Sequence, residues 1–133
     1  MKHTFEPCGA SLRELKEELA VILGVPGTRL PQVFRANDFK ALKIGITFDI
    51  LALYPHTDPG RLRHWLGRYT STKGYLRRIS KGAHRHDLGD RNVQPLDLEA
   101  RCRARQRLGL VFAAEAAQML PPAQMQPPQR EFA

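Results

Sequence analysis

Apolar residues near the start of the chain recur at the spacing of a helix. They form one stripe: Leu12, Leu15, Leu19 and Ile22 or Leu23. Ser11 precedes this stripe and Glu14 follows Ser11 by three residues, which is the spacing of a capping box. Gly24 and Pro26 then interrupt the pattern. The sequence therefore predicts a first helix that begins after Ser11 and ends near Leu23.

The next two segments carry shorter patterns. Leu30 to Phe34 is typical of a short helix or turn. From Leu42 to Ile46, apolar positions alternate with Lys43 and Gly45, which predicts an extended stretch with Lys43 pointing outward. From Thr47 the spacing becomes helical, and Pro55 closes that helix.

Asp58 followed by Pro59 predicts a further helix, because this order places an N-cap before a proline in the first turn. Its apolar face carries four large residues: Leu62, Trp65, Leu66 and Tyr69. The neighbouring face is basic and carries Arg61, His64 and Arg68. We expect the apolar face to pack, with Trp65 in the core, and the basic face to remain for a partner.

The second half of the chain predicts a helix, a hairpin and a last helix. A short helix runs from about Thr72 to Ile79, before Gly82. Turn residues around Gly89 predict a small β-hairpin from residues 84–88 and 92–93, and Asp97 caps a helix to about Ala117. The fold class is thus α+β and mostly helical. We expect one domain over residues 11–118, an N-terminal tail over 1–10 and a flexible Pro/Gln-rich tail over 119–133.

The charge of the chain is concentrated in one segment, Arg61–Arg85, which we call the basic segment. It holds eight Lys and Arg and no Asp or Glu, whereas the rest of the chain has 13 of each sign, so the segment accounts for the formal charge of +8. Trp65, Tyr69 and Tyr75 lie among these bases. Basic and planar side chains together favour a nucleic-acid partner. The alternative is a basic face that only keeps the protein in solution.

Composition narrows the class further. A hydrophobic content of 42% argues against global disorder, and no apolar run is long enough to span a bilayer. The N-terminus carries Glu6, Arg13 and Glu14 where a signal peptide would have an apolar stretch, so we expect a reducing, cytoplasmic setting. Cys8 and Cys102 are far apart in sequence and form no C-x-x-C pair, so neither a zinc site nor a disulfide framework is expected. Because Cys102 follows Leu98 by one helical turn, we expect it to be a buried free thiol.

Catalytic motifs are not found in the sequence. It contains no phosphate-binding glycine loop, zinc-protease motif or nucleophile elbow. His84 and His86 would share one face of a strand, but a metal needs further ligands and the adjacent arginines repel it. We therefore expect a non-enzymatic protein without a metal or cofactor.

The basic segment does offer a phosphate site. Thr70, Ser71 and Thr72 stand at a predicted helix start, where hydroxyls and free N–H groups either bind phosphate or simply cap the helix. Tyr75 lies one turn further, next to Lys73. From spacing alone, its ring either packs in the core or contacts a base and a phosphate.

Two stretches of this sequence closely resemble the ProQ/FinO domain of bacterial RNA chaperones. The first, ALKIGITFDIL, matches through Leu42, Lys43, Ile44, Gly45, Ile46 and Asp49. The second, LRHWLGRYTSTKGYLRRISKGAHRHDL, matches through Leu62, Arg63, Leu66, Tyr69, Thr70, Tyr75, Leu76, Gly82, Ala83, Arg85, Asp87 and Leu88. The resemblance runs from about Leu30 to Val93. One departure is Gly74, which stands where relatives often carry a basic residue.

This resemblance implies a minimal, single-domain member of the family with a concave basic face. In the family, that face grips structured small RNAs, preferably a terminator-type hairpin with a short single-stranded 3′ tail. Small-RNA targets, possible mRNA 3′ ends, a role in post-transcriptional regulation and a monomeric state are expected on this basis. The resemblance and the basic segment together predict eleven RNA-binding residues: Lys43, Arg63, Arg68, Thr70, Ser71, Thr72, Lys73, Tyr75, Arg78, Lys81 and Arg85.

Two other functions compete with this one. A DNA-binding transcriptional regulator would use the Arg61–Tyr69 helix in the manner of a helix-turn-helix protein. A protein-interaction module would use the basic face to meet an acidic partner. A preference for RNA hairpins over duplex DNA of matched length separates the first competitor from the RNA chaperone.

Overall fold

The computed structural model describes Phe5 and residues 7–119. Six helices, a 3-10 turn and one hairpin follow in this order: α1 (Leu12–Leu23), the turn Gly27–Arg29, α2 (Gln32–Arg35), α3 (Ile46–Leu53), α4 (Pro59–Tyr69), α5 (Lys73–Lys81), β1 (His84–His86), β2 (Asn92–Pro95) and α6 (Leu98–Met119). The mostly helical α+β class is confirmed. The predicted tail beyond Met119 lies outside the described residues.

Local sequence signals determine where the helices begin and end. Ser11 and Glu14 form the complete capping box of α1, and Gly24 ends that helix in the left-handed conformation with φ of 71°. Asp58 caps α4 by accepting hydrogen bonds from the N–H groups of Gly60 and Arg61. Both predictions are confirmed. The 3-10 turn was not predicted, because no apolar period marks a three-residue element.

The core is built around a cluster of aromatic rings. The ring of Phe34 meets those of Trp65 and Tyr69 edge to face, at centroid distances of 5.3 Å and 5.6 Å. Trp65 is 1% exposed, and its indole N–H donates to the carbonyl of Leu15 at 2.8 Å. Trp65 is thus a core residue that joins α4 to α1, as the sequence predicts.

The extended stretch before α3 joins the hairpin to the rest of the domain. Leu42 forms a parallel bridge with His86, the Lys43 N–H donates to the His86 carbonyl at 2.9 Å, and the His86 N–H donates to the Ala41 carbonyl at 2.7 Å. Gly45 then turns the chain with φ of 90°, a conformation that favours glycine. The Lys43 side chain is partly exposed, and its ammonium pairs with the Asp49 carboxylate at 2.8 Å.

The two hairpin strands pair antiparallel, with Arg85 opposite Gln94. The prediction of a hairpin is confirmed, although β1 ends at His86 and not at Leu88. In the turn, Asp90 has the positive φ of 61°, rather than the preceding Gly89. The Asp87 carboxylate accepts the N–H of Arg91, and this hydrogen bond lowers the pKa of Asp87.

Helix α6 packs along α5 through Ala104 and Val111. Cys102 lies on the opposite side of α6 and is exposed, so the prediction of a buried thiol was wrong. The signal failed because Leu98, on which it was based, is itself exposed. No helix among the described residues has the length and apolar character needed to span a bilayer.

The first described residues are bonded to the domain and belong to what the sequence predicts as a tail. The N–H of Cys8 donates to the Ser71 carbonyl at 3.1 Å, which forms a parallel bridge between Cys8 and Thr72. Phe5 packs against the core, with the guanidinium of Arg107 at 5.1 Å from its ring centroid. The N-terminal segment therefore lies beside the start of α5.

Candidate nucleic-acid interface

The basic segment folds into α4, α5 and β1, and acidic residues from elsewhere neutralise part of it. Arg68 pairs with Glu18 of α1, and this pairing raises the pKa of Arg68. Lys73 pairs with Glu115 of α6 at 2.7 Å. Arg78 likewise pairs with Asp38 in the loop after α2. In the folded protein, the basic segment therefore carries less uncompensated positive charge than its sequence alone suggests.

Other cations of the interface remain uncompensated. Four cations of the basic segment are exposed and form no ion pair with any residue that the structure describes: Arg61, Arg63, Arg77 and Lys81. Arg63 lies one turn before Gly67 and two turns before Thr70, so it faces the same side of α4 as the start of the α4–α5 junction. These side chains are available for phosphates.

The junction between α4 and α5 uses its hydroxyls for capping. The Thr70 hydroxyl donates to the Leu66 carbonyl at 2.9 Å, and the Ser71 hydroxyl donates to the Gly67 carbonyl at 2.7 Å. Thr72 is 2% exposed and caps α5, because its hydroxyl oxygen accepts the N–H of Tyr75 at 3.2 Å.

One backbone donor at the start of α5 is not used in this way. The N–H of Gly74 has no acceptor among the described residues, whereas the N–H of Lys73 faces the Cys8 carbonyl in the parallel bridge between Cys8 and Thr72. Donors at a helix start are oriented along the helix axis, where the helix dipole also favours an anion. The structure thus shows the three hydroxyls in capping hydrogen bonds, and a phosphate site at this helix start stays a prediction.

A small opening lies between α5, α6 and β1, and we call it the Tyr75 pocket. Its volume is about 100 Å³ and it is lined by Thr70, Tyr75, Leu76, Ile79, Arg85, Ala100, Arg103, Ala104 and Arg107. At about 30 Å³ for each water molecule, this is room for a phosphate or part of a ribose, not for a base pair. Three guanidinium groups around so small an opening favour an anionic occupant.

The walls of the Tyr75 pocket are anchored to the extended stretch before α3. The Tyr75 hydroxyl accepts the N–H of Leu42 at 3.2 Å, and Arg85 donates to the Leu42 carbonyl at 3.1 Å. The ring of Tyr75 is in the core, since only 6% of the residue is exposed. Burial raises the pKa of Tyr75, so the phenol is neutral at physiological pH.

The structure brings some of the predicted residues together and separates others. Thr70, Tyr75 and Arg85 line the same pocket, and Lys43 follows Leu42, to which the pocket is anchored. Arg78 and Lys81 lie elsewhere, in a groove of about 320 Å³ on another side of α5. The RNA-contact role of these side chains stays a prediction.

Two pocket residues were not singled out from the sequence. Arg103 and Arg107 belong to an array of alternating arginines on α6 and line the pocket. The available signal was their spacing of four residues, which places both on one side of a helix. Arg103 also pairs with Glu99 at 2.9 Å.

The basic side of α4 does not form a free recognition face. Arg61, His64 and Arg68 line a groove against α1 that also contains Glu18 and Asp58. Acidic groups within that groove would repel a DNA backbone. The helix-turn-helix interpretation therefore has no support from this face.

Gly74 lies in close contact with the ring of Phe39. A Cβ atom at this position would lie 2.4 Å from Cδ2 of Phe39, so any side chain at residue 74 would displace this ring from its present position.

Comparison with known proteins agrees with the resemblance of the sequence. The sequence model of the ProQ/FinO family matches residues 17–120. The chain belongs to the ProQ/FinO family. Among solved structures, this ProQ/FinO domain is similar to a FinO-like RNA chaperone from Neisseria meningitidis, with 24% identity and a TM-score of 0.57 over 83% of this chain and 87% of that one. No curated protein matches the chain in sequence.

The structural likeness confirms the fold of the ProQ/FinO domain, including the small hairpin. Among its described residues there is no group of three or more His, Cys, Asp or Glu side chains that could hold a metal ion. A much larger groove of about 1290 Å³ lies between α1 and the following segment that holds the 3-10 turn and α2, and none of the eleven predicted residues lines it.

Proposed function

We propose that this protein is an RNA chaperone that binds structured small RNAs. Its preferred target is a terminator-type hairpin with a short unpaired 3′ tail. The observation that carries the proposal is the Tyr75 pocket, which is lined by Arg85, Arg103 and Arg107 and lies beside the start of α5. Membership of the ProQ/FinO family and the FinO-like RNA chaperone of similar fold support it.

The chemistry of RNA explains why such a site suits a hairpin end. A-form duplexes hide the edges of their bases in a narrow major groove, so recognition relies on phosphates, 2′-hydroxyls and unpaired ends. The N–H of Gly74 would take a backbone phosphate at the base of the stem. The 3′ tail would enter the Tyr75 pocket, where Arg85 meets its last phosphate and the Tyr75 hydroxyl reaches the ribose.

The rest of the function follows from this target. Both small RNAs and mRNA 3′ ends that carry such a hairpin are proposed partners. The protein would act without catalysis, as a cytoplasmic monomer in post-transcriptional regulation, by protecting these RNAs or promoting their pairing.

Three forms of one hairpin test the proposal: one with a short uridine tail, one blunt and one with a tail that ends in a 3′ phosphate. We expect the tailed RNA with a free 3′-hydroxyl to bind most tightly, because the small pocket accepts one terminal group. Equal affinity for all three would refute the 3′-end site. A DNA duplex of matched length that binds better than the tailed RNA would favour the transcriptional regulator instead.

Matched arginine variants show whether the pocket is responsible. Arg85→Ala and Arg103→Ala should each weaken binding of the tailed hairpin by about 1–3 kcal/mol. Arg29→Ala removes the same charge from the exposed turn Gly27–Arg29, outside the pocket, and should change affinity much less. A similar loss in all three variants would indicate a general electrostatic effect without a pocket.

A further inference from the structure

Phe112 of α6 presents an aromatic ring to solvent among basic side chains. The residue is 45% exposed. The Lys73 ammonium lies 5.6 Å from its ring centroid and the Arg77 guanidinium lies 5.7 Å from it. Packing of α6 against the core is supplied by neighbouring residues, such as Val111. The ring is thus accessible, and two cations are held next to it by cation–π attraction.

Phe112 and the Tyr75 pocket lie on different sides of α6. Arg107 lines the pocket, and Phe112 follows it by five residues, which is about 140° around a helix. Lys73 is the first residue of α5 and contacts the side that carries Phe112 and Glu115, whereas Tyr75 of the same helix lines the pocket. The start of α5 therefore has the pocket on one side and Phe112 on the other.

The two strands at the base of an RNA stem also leave on different sides of its axis. If the 3′ strand enters the Tyr75 pocket and the stem rests on the start of α5, the 5′ strand passes the side that carries Phe112. Nucleobases stack on aromatic rings with little dependence on sequence, and adjacent cations neutralise the phosphate of the stacked nucleotide. Arg77 is suited to bind this phosphate, since it forms no ion pair with any described residue.

We infer that Phe112 is a stacking platform for an unpaired nucleotide on the 5′ side of the hairpin stem. This inference rests on the proposed function, because it needs the stem to lie on the start of α5. It adds a second point of contact, with Arg77 as the partner of the flanking phosphate. The protein would then recognise both strands that leave the stem.

The test uses three RNAs that share one stem and one 3′ uridine tail: without a 5′ flank, with a short adenosine flank, and with the same flank carrying an abasic nucleotide next to the stem. For the unaltered protein, the flank should raise affinity by about tenfold, within the range measured for one stacked base. The abasic flank keeps the phosphate and should lose most of this gain. Phe112→Ala should lose the gain and keep the affinity for the RNA without a flank.

Leu110→Ala is the matched control, because Leu110 is 55% exposed on the same helix but points about 160° away from Phe112. It should keep the gain from the flank. Phe112→Trp supplies a direct signal: Trp65 is buried, so fluorescence quenching that requires the 5′ adenosine would report stacking at position 112.

Two results would overturn the inference: a 5′ flank that adds no affinity to the unaltered protein, or an equal gain in the protein and in Phe112→Ala. Failure of the proposed function looks different, because the hairpin with only a 3′ tail would then bind no better than a blunt one. If Phe112→Ala melts early, Phe112→Trp still tests the inference. Its fluorescence quenching is measured on a variant that keeps an aromatic ring at position 112.

Discussion

Replacing Tyr75 separates the two roles that its sequence position allows. The structure buries its ring edge to face against Tyr69, at a centroid distance of 5.4 Å, while its hydroxyl accepts the N–H of Leu42. Tyr75→Ala removes both interactions, and Tyr75→Phe removes only the hydroxyl. Tyr54→Phe is the control, because the Tyr54 hydroxyl has no hydrogen-bond partner among the described residues.

The magnitudes follow from burial. Truncation of a buried aromatic residue to alanine costs about 3–5 kcal/mol of unfolding free energy. Tyr75→Phe leaves the buried N–H of Leu42 without its acceptor, which costs about 1–3 kcal/mol. At about 4 °C per kcal/mol for a domain of this size, the thermal midpoint should fall by about 12–20 °C for alanine and about 4–12 °C for phenylalanine.

Thermal melts monitored by circular dichroism give the midpoints, and titration of a tailed hairpin at low temperature gives the affinities. We expect Tyr75→Ala to melt early and Tyr54→Phe to melt with the unaltered protein. Arg85→Ala should behave in the opposite way to Tyr75→Ala: it should lose much of its affinity for the tailed hairpin while its thermal midpoint changes less. A Tyr75→Ala variant that keeps its midpoint but loses RNA binding would refute the assignment of this ring to the core.

Three further predictions concern packing, pH and salt. Gly74→Ala should destabilise the domain by about 1–3 kcal/mol, because its Cβ would collide with Phe39. Gly67→Ala, in open space on α4, should stabilise the domain by up to about 1 kcal/mol. Urea titrations of both variants measure these changes. Burial raises the pKa of Tyr69 and Tyr75, so their contribution to stability is complete below the unfolded tyrosine value of about 10 and is lost as pH rises above it; urea midpoints that stay constant up to pH 11 would contradict this. Affinity for a tailed hairpin should fall steeply between low and moderate salt, by about 0.7–0.9 in the logarithmic slope for each phosphate contacted, and a flat response would exclude an electrostatic interface.

Much of the fold could be predicted because its signals are local. The capping box at Ser11, the Asp58–Pro59 start of α4 and the apolar spacing of Trp65 with its neighbours each depend on residues a few positions apart. The structure confirms all three. The resemblance of two short stretches was enough to indicate the family, because residues such as Gly45 and Arg85 occur in a fixed order.

The site was harder to predict, because its geometry depends on residues distant in sequence. The acidic partners of Arg68, Lys73 and Arg78 come from α1, α6 and the loop after α2, so charge counted along the basic segment overestimates the free charge. Arg107 enters the Tyr75 pocket only through the packing of α6 on α5. Periodicity also could not decide which side of α6 is buried, which is why Cys102 was placed wrongly.

The anchoring of the Tyr75 pocket to Leu42 has a consequence for when the protein acquires its function. Leu42 is joined to Tyr75 across 33 residues and to Arg85 across 43, so no short stretch of the chain can form this site by itself. A nascent chain has no pocket until β1 has paired with the stretch before α3 and α6, which also lines the pocket, has emerged and packed on α5. RNA bound at the pocket would, by mass action, stabilise only the completely folded domain. Folding and RNA binding of this protein would therefore be one coupled equilibrium.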